Sequence, residues 1–326
     1  MSDPTLSVTV TNYNYAPFLT QCIESILTQT YEDYELIIID NASTDQSMDV
    51  IREHAARDRR IRVIEHAENQ GALRSWQEAC NVSRGRYRVH VDADDWIRTP
   101  SAFEQQVAVL EDNPTVTICY SPFAIVDSDG RVLHVAHPHT GSTILPAELA
   151  LEGLLTMQLA HTGPMIRLDA YRATSGYRPE FVHYADMRLA IQMAEQGDVA
   201  YIDEPLYAWR EHATGLHHSL PLKVLEEEVL PIIDAAFSGP IGSKVPNADA
   251  VRRRVEQNAL VHYPWQFIFT GHRRAGWRMY WESVKLRPYE TVAQRATLHL
   301  VARTVLGGTG YAWLEARVDH SGGTDE

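Results

Sequence analysis

Tyr34-Glu35-Leu36-Ile37-Ile38-Ile39-Asp40 is the stretch whose reading decides the fold. A strand with one wet face alternates apolar and polar side chains, and Leu36 to Ile39 does not alternate. A near-continuous apolar run suits a parallel strand covered on both faces. The run ends on Asp40. Asn41-Ala42-Ser43-Thr44-Asp45 then supplies turn chemistry into a helix, with Ser43 or Thr44 expected as its cap ahead of Val50 and Ile51.

The flanking sequence repeats this theme. Leu6 to Val10 reads as a strand, and Pro17 as the first residue of a helix carrying Leu19, Cys22, Ile23, Ile26 and Leu27. Ile61 to Ile64 is a third strand, Ala72 to Val82 a helix and Tyr87 to Val91 a fourth strand. Such alternation predicts an α/β class with a mostly parallel sheet flanked by helices. Beyond residue 98 the pattern changes. Ser101 to Leu110 is expected to be helical. Val116 to Val126 and Val132 to Val135 are expected to form a hairpin around Asp127-Ser128-Asp129-Gly130. Leu145 to Leu155 and Tyr184 to Glu195 read as helices, and Val199 to Ile202 and Leu206 to Trp209 as short strands. From Leu220 onward the signals are helical, a C-terminal extension ending in a frayed HSGGTDE tail.

Composition narrows the function classes. The 326 residues carry a net charge of −14, which argues against nucleic acid as a partner, because phosphate contacts need a basic surface. Cys22, Cys80 and Cys119 are too scattered for a disulfide framework or a CxxC metal pair, so a reducing cytoplasm is the simplest expectation. MSDPTLSV lacks the basic flank and apolar region of a signal peptide, and no run of 18 apolar residues occurs.

The strongest chemical signal is Val91-Asp92-Ala93-Asp94-Asp95-Trp96. Three carboxylates directly after a parallel strand stand where α/β sheets bind ligands. They repel one another unless a hard divalent cation or hydrogen-bond donors offset them. The alternative is a solvated acidic turn. Asp40 forms a second acidic strand end, able to accept from a base N–H or a ribose hydroxyl, or else part of plain helix capping. No GxGxxG or GxxxxGK[ST] occurs.

Taken in order, these motifs resemble the family 2, inverting glycosyltransferases of GT-A fold. The matching blocks are Val8-Thr9-Val10-Thr11-Asn12-Tyr13-Asn14-Tyr15, Ser25-Ile26-Leu27-Thr28-Gln29-Thr30-Tyr31, Glu35 to Asp45, Asn69-Gln70-Gly71, Gly85-Arg86-Tyr87 and Asp92-Ala93-Asp94-Asp95. The resemblance is close over about residues 5–98 and looser over 99–215. It implies a nucleotide-sugar-binding half over 1–98, an acceptor and catalytic half over 99–215, and a helical region over 216–326. It implies that Thr11, Tyr13 and Asp40 hold the nucleotide base. Asp92-Ala93-Asp94 would be the DxD element that meets diphosphate and a Mn²⁺ or Mg²⁺ ion, with Asp94 as direct ligand. Where many members carry Arg-Asn after the NxG block, this chain has Trp76 and Gln77, so Arg74 is the candidate for the diphosphate.

In the second half, the resemblance places the catalytic base at Asp186, in His183-Tyr184-Ala185-Asp186-Met187-Arg188-Leu189; the alternative is a helix N-terminal acid favoured by the macrodipole. His212, in Trp209-Arg210-Glu211-His212, is the candidate to join the metal ligands, and His161 and Gly163 would line the acceptor side. The implied partners are a nucleotide-diphosphate sugar donor and a glycan, lipid-linked or small-molecule acceptor. A sugar-phosphate nucleotidyltransferase is the enzymatic alternative, but it wants a Gly-rich basic loop after the first strand, which Thr11-Asn12-Tyr13-Asn14 does not offer. A catalytically inactive GT-A binding module is the other. Between Val251 and Leu306, ten Lys/Arg face three Asp/Glu, and Trp265, Trp277 and Trp281 accompany them. This segment either docks on an anionic membrane at its inner face, packs internally, or forms a homodimer contact.

Overall fold

Every residue of Tyr34–Asp40 is buried, as the missing alternation requires. Glu35 is tolerated there because its carboxylate is fully engaged: Oε1 accepts from Ser7 Oγ at 2.8 Å and Arg84 N at 2.9 Å, and Oε2 from Arg84 Nη2 at 2.8 Å. These bonds hold the Glu35 carboxyl below the usual carboxylate range despite its burial.

The computed structural model describes residues 3–136, 141–156, 163–212, 223–269 and 273–286. In chain order the elements are β1 (Leu6–Asn12), α1 (Ala16–Leu27), β2 (Tyr34–Asp40), α2 (Ser47–Arg57), β3 (Ile61–Glu65), α3 (Ala72–Val82) and β4 (Tyr87–Asp92). Next come β5 (Trp96–Ile97), α4 (Ala102–Asp112), β6 (Val116–Tyr120), β7 (Phe123–Val126), β8 (Val132–Ala136), β9 (Thr143–Leu145) and α5 (Ala147–Leu155). Then follow β10 (Met165–Arg167), α6 (Leu168–Arg172), α7 (Ala185–Ala194), β11 (Asp198–Tyr201), β12 (Tyr207–Arg210), α8 (Leu230–Ser238), α9 (Ala248–Phe269) and α10 (Arg273–Leu286).

An eight-stranded sheet has the order β3-β2-β1-β4-β10-β6-β11-β9. β3, β2, β1 and β4 are parallel, and β10 runs antiparallel between β4 and β6. A second sheet, β5-β12-β7-β8, stands beside it. The mostly parallel sheet flanked by helices is therefore as expected. Leu6, Val8, Val10, Leu36 and Ile38 pack with Leu19, Ile23 and Ile26 of α1, while Ile37 and Ile39 meet Ala79 of α3 on the other face.

Several local expectations are corrected. Neither Ser43 nor Thr44 caps α2, which starts at Ser47; the Ser47 N–H is taken by Asp45 Oδ1 at 2.9 Å. The segment 116–126 is two strands in two sheets, because Ser121-Pro122 breaks the run and Pro122 has no N–H to donate. Only β7 and β8 form the hairpin, with Gly130 at φ +82° in its turn. Thr143–Leu145 is a strand, and the helix starts only after Pro146. The strands β5 and β10 were not expected; at two and three residues they are too short to show a period.

The described residues of Met1–Ser219 with Ile232–Val251 form one compact unit, and those of Leu220–Pro231 with Arg252–Glu326 another. In the second, Trp277 meets Tyr280 edge-on and packs in a small cluster with it and Val284. Trp281 lies on another face of α10 and is exposed, as are Arg278 and Lys285 one helical turn or so away. The side chains of Trp265, Arg273 and Arg274 lie outside the described residues, as do 287–306 and the HSGGTDE tail. Among the described residues no helix is long and apolar enough to cross a membrane, and Cys22, Cys80 and Cys119 are buried free thiols.

The turn into β4 depends on close backbone approach. A Cβ on Gly85 would lie 2.7 Å from Ser7 N and 2.8 Å from Leu6 C, both backbone atoms that cannot yield easily. Gly85→Ala should cost about 1–3 kcal/mol of stability. Chemical denaturation of the two proteins checks this, and an unchanged midpoint would contradict it.

Candidate functional site

Chain order reverses between β1 and β4: β2 and β3 extend to one side of β1, and β4 returns on the other. Ligands of open α/β sheets sit outside the strand C-termini at such a switch point. Here the edge carries Thr11 of β1 paired with Asp92 of β4, and Asn12 of β1 paired with Asp40 of β2.

Asp40 closes a turn. Its carboxylate is 1% exposed, with Oδ1 accepting from Asn12 Nδ2 at 2.7 Å and Ser43 Oγ at 2.6 Å, and Oδ2 from Ser43 N at 2.9 Å. This network lets Ala42 hold a φ of +61°, a region few non-glycine residues adopt. Asn14 ties the two loops together: its N–H donates to Ser43 Oγ at 3.0 Å, and its Oδ1 accepts from Thr44 N at 2.7 Å. Tyr13 is left exposed on the rim. Arg74 is exposed in the first turn of α3.

The Asp92-Ala93-Asp94-Asp95 turn is held from the far end of the unit. Asp95 is buried and accepts from Arg210 N at 2.9 Å. The Arg210 guanidinium donates to Asp94 O at 2.9 Å, Ser128 O at 2.8 Å and Gln21 Oε1 at 2.6 Å. It lies between the Phe18 and Trp96 rings, 4.7 and 4.6 Å from their centroids. Ala93 is fully buried beneath this turn. Two residues past Arg210, His212 Nε2 reaches Asp94 Oδ2 at 2.8 Å, and its ring packs against Tyr15 and Phe18. Burial raises the Tyr15 hydroxyl pKa, and the charges of Asp94, Asp92 and Asp95, with a hydrogen bond to Asp94, raise it further. The structure thus brings Asp94 and His212 together.

Asp92 belongs to a different network. His90 stands two residues before it on the same strand face, and its Nε2 lies 3.1 Å from Asp92 Oδ1. Burial works to raise the Asp92 carboxyl, yet the His90 ring and its hydrogen bond, with Arg88 further off, hold it below the ordinary range. Trp76 donates from Nε1 to Thr11 Oγ1 at 3.2 Å and so joins the same network. His90 is not among the residues expected at the site from the sequence. The signal was present: Thr9 and Thr11 alternate with valines in β1, as His90 and Asp92 do in β4, giving two adjacent strands with polar groups on one face.

Asp186 sits exposed in the first turn of α7. Its charge reaches Tyr120, at the end of β6, and Tyr177. Tyr177 packs on Trp76 with ring centroids 5.9 Å apart. Buried Arg88 hydrogen-bonds Tyr177 and leaves Nε and Nη2 without a hydrogen-bond partner. Gly163, at φ +74°, lies against the Tyr207 ring, which a Cβ would approach to 2.5 Å. His161 lies outside the described residues.

For a divalent cation, Asp94 and His212 form a carboxylate–imidazole donor set that suits Mn²⁺. Among the described residues no group of three or more His, Cys, Asp or Glu side chains gathers as a self-sufficient metal site. Such a pair fits an ion whose remaining positions are filled by phosphate oxygens and water.

Sheet order, switch-point carboxylates and the antiparallel β10 define an α/β protein of the GT-A type. The family model described as Glycosyl transferase family 2 matches residues 7–173, and the chain belongs to that family. It is 28% identical over 233 residues to EpsH of Bacillus subtilis (strain 168), a glycosyltransferase by name, covering 69% of this chain and 66% of EpsH. To EpsE of the same organism it is 31% identical over 216 residues, covering 64% of this chain and 74% of EpsE. The chain spans just under two thirds of the length of EpsH. Among solved structures, Staphylococcus aureus TarS residues 1–349 in complex with UDP-GlcNAc aligns at a TM-score of 0.60 with 17% identity, covering 82% of this chain and 73% of that one. The Pyrobaculum calidifontis mannosyltransferase PcManGT, in complex with GDP-Man and Mn²⁺, aligns at 0.59 with 15% identity, covering 96% and 84%. These structural likenesses show the fold.

The Arg210 side chain ties α1 and the β7–β8 turn to the acidic turn, so Arg210→Leu should cost about 2–4 kcal/mol, leaving the Asp94 and Ser128 carbonyls and the Gln21 amide oxygen without their donor. Arg210→Lys should recover only part, because one ammonium cannot copy the fork. Urea denaturation of the three proteins measures both. Equal stability of wild type and Arg210→Leu would contradict the clamp.

Proposed function

We propose that the chain is an inverting glycosyltransferase that moves a sugar from a nucleotide-diphosphate donor to an acceptor hydroxyl. The observation that carries this is the Asp94–His212 contact at the switch point, in one unit with an exposed carboxylate, Asp186. Thr11, Tyr13 and the loop closed by Asp40 take the nucleotide base; Arg74, Asp92 and the Ala93 backbone belong to the diphosphate side. Asp94 and His212, with Asp92 beside them, would hold a Mn²⁺ or Mg²⁺ ion. When bound, that ion supplies Lewis-acid stabilisation of the departing diphosphate.

Asp186 serves as general base. Its carboxylate takes the proton of the acceptor hydroxyl as the acceptor oxygen bonds to the anomeric carbon and the carbon–oxygen bond to the diphosphate breaks. One displacement inverts the anomeric centre, so a second, nucleophilic carboxylate is not required. Tyr177 and Trp76 line the wall beside Asp186 and help orient the reactants. The complexes of TarS with UDP-GlcNAc and of PcManGT with GDP-Man support a nucleotide-sugar donor of this kind. The acceptor class is a glycan, lipid-linked or small-molecule hydroxyl. Arg278, Trp281 and Lys285 recur at helical spacing on α10 and are exposed, which favours contact with an anionic surface.

The testing experiment is a thermal-shift panel of UDP-, GDP-, dTDP- and CDP-sugars with and without Mn²⁺, followed by hydrolysis or transfer assays with the donor that binds. Asp94→Asn should abolish the Mn²⁺ dependence of donor binding. Asp186→Asn should lower turnover by about two to four powers of ten with donor affinity little changed. Turnover that survives in Asp186→Asn, or metal dependence that survives in Asp94→Asn, would contradict those assignments.

A further inference from the structure

The parallel register sets Thr9 opposite His90 and Thr11 opposite Asp92. His90 therefore sits among three polar side chains on one sheet face, Thr9, Thr11 and Asp92. Its Nδ1 lies 3.1 Å from Thr9 Oγ1. Its Nε2 lies 3.1 Å from Asp92 Oδ1 and 3.4 Å from Thr11 Oγ1. The Trp76 ring meets the imidazole edge-on, centroids 6.2 Å apart.

The donor directions follow from chemistry. An ionised carboxylate only accepts, so Nε2 carries the hydrogen that faces Asp92. Nδ1 faces the Thr9 hydroxyl, which also donates to Val89 O at 3.3 Å, so the Thr9 hydrogen is shared between that carbonyl and the ring. Thr11 Oγ1 already accepts from Trp76 Nε1 at 3.2 Å, so its own hydrogen is directed away from that bond. One histidine consequently fixes which Asp92 oxygen is held by the protein. Oδ1 is occupied, and Oδ2 is the oxygen offered to a ligand, on a side chain that is 45% exposed.

We propose that His90 is a positioning residue for the donor site: it orients the Asp92 carboxylate toward the cation–diphosphate end of the donor and, through Thr11 and Trp76, couples that end to the nucleotide loop of β1. The proposal rests on the glycosyltransferase reading given above. Partners that orient metal-site ligands are commonly worth 10–100-fold in metal affinity or activity.

Three variants separate positioning from packing. His90→Phe keeps a ring and removes both bonds. His90→Gln restores a donor that can reach Asp92, and His90→Asn restores a polar group only on the Thr9 side. The probes are UDP and GDP, titrated calorimetrically with and without Mn²⁺, and the wild type identifies which of them binds. The expected result is a Mn²⁺-dependent affinity about 10-fold weaker or more in His90→Phe. Affinity without Mn²⁺ should change much less, His90→Gln should recover most of the loss, and His90→Asn should recover little. Thermal midpoints without ligand guard against simple unfolding, and if His90→Phe does not fold, the Gln and Asn pair decides alone.

Unchanged Mn²⁺-dependent affinity in His90→Phe would overturn the proposal. So would an equal loss with and without Mn²⁺, or equal behaviour of the Gln and Asn variants. A wild type that binds neither nucleotide would instead overturn the glycosyltransferase reading, and the proposal with it.

Discussion

Asp94 and His212 are 118 residues apart in sequence and 2.8 Å apart in space. That contact depends on the sheet's own crossovers. Asp94 follows β4, next to the first strand of the large sheet, whereas His212 follows β12 in the small sheet. Arg210 makes the distance reproducible: its side chain, gripped by Phe18 and Trp96 and bonded to Asp94 O, carries the end of β12 onto the acidic turn. Three carboxylates in four residues would repel one another in isolation. Here Asp95 is absorbed by the Arg210 backbone, Asp94 by His212 and Tyr15, and Asp92 by His90. Each acid has a different partner, and so a different role becomes available to each.

The same division organises the whole edge. Asp40 is spent on shaping the loop between β2 and α2, so its contribution to a ligand is through the loop it closes. Asp186 is exposed at a helix start, where its carboxylate is open to an acceptor. Between them, Trp76 touches Thr11, His90 and Tyr177, forming a continuous aromatic and polar wall from the β1 loop to the neighbourhood of Asp186.

Much of the sheet was legible in the sequence because burial on both faces leaves runs such as Leu36 to Ile39 that nothing else explains. Strands β5, β9 and β10 were not, because two or three residues carry no measurable period, and β10 is defined by pairing with β4 and β6 rather than by its own side chains. The acidic turn was legible as a cluster, and His212 as a candidate through the resemblance. The separation of its three carboxylates was not, since each is decided by a partner far away in sequence. Ser43 shows the local version of this limit: it has the composition of a cap, but Asn12 and Asp40 recruit it into the turn before the helix. His90 had a period-2 signal that becomes readable only once β1 and β4 are known to be neighbours.

The central claim is that two halves of the chain jointly present one cation site through Asp94 and His212. Pulsed electron paramagnetic resonance of Mn²⁺ bound together with UDP or GDP tests it most directly, because a directly coordinated imidazole imprints a nitrogen coupling on the metal's spin. The account predicts that coupling in the wild type and its loss in His212→Phe. A bound Mn²⁺–nucleotide complex with no nitrogen coupling, or one whose coupling survives in His212→Phe, would contradict it.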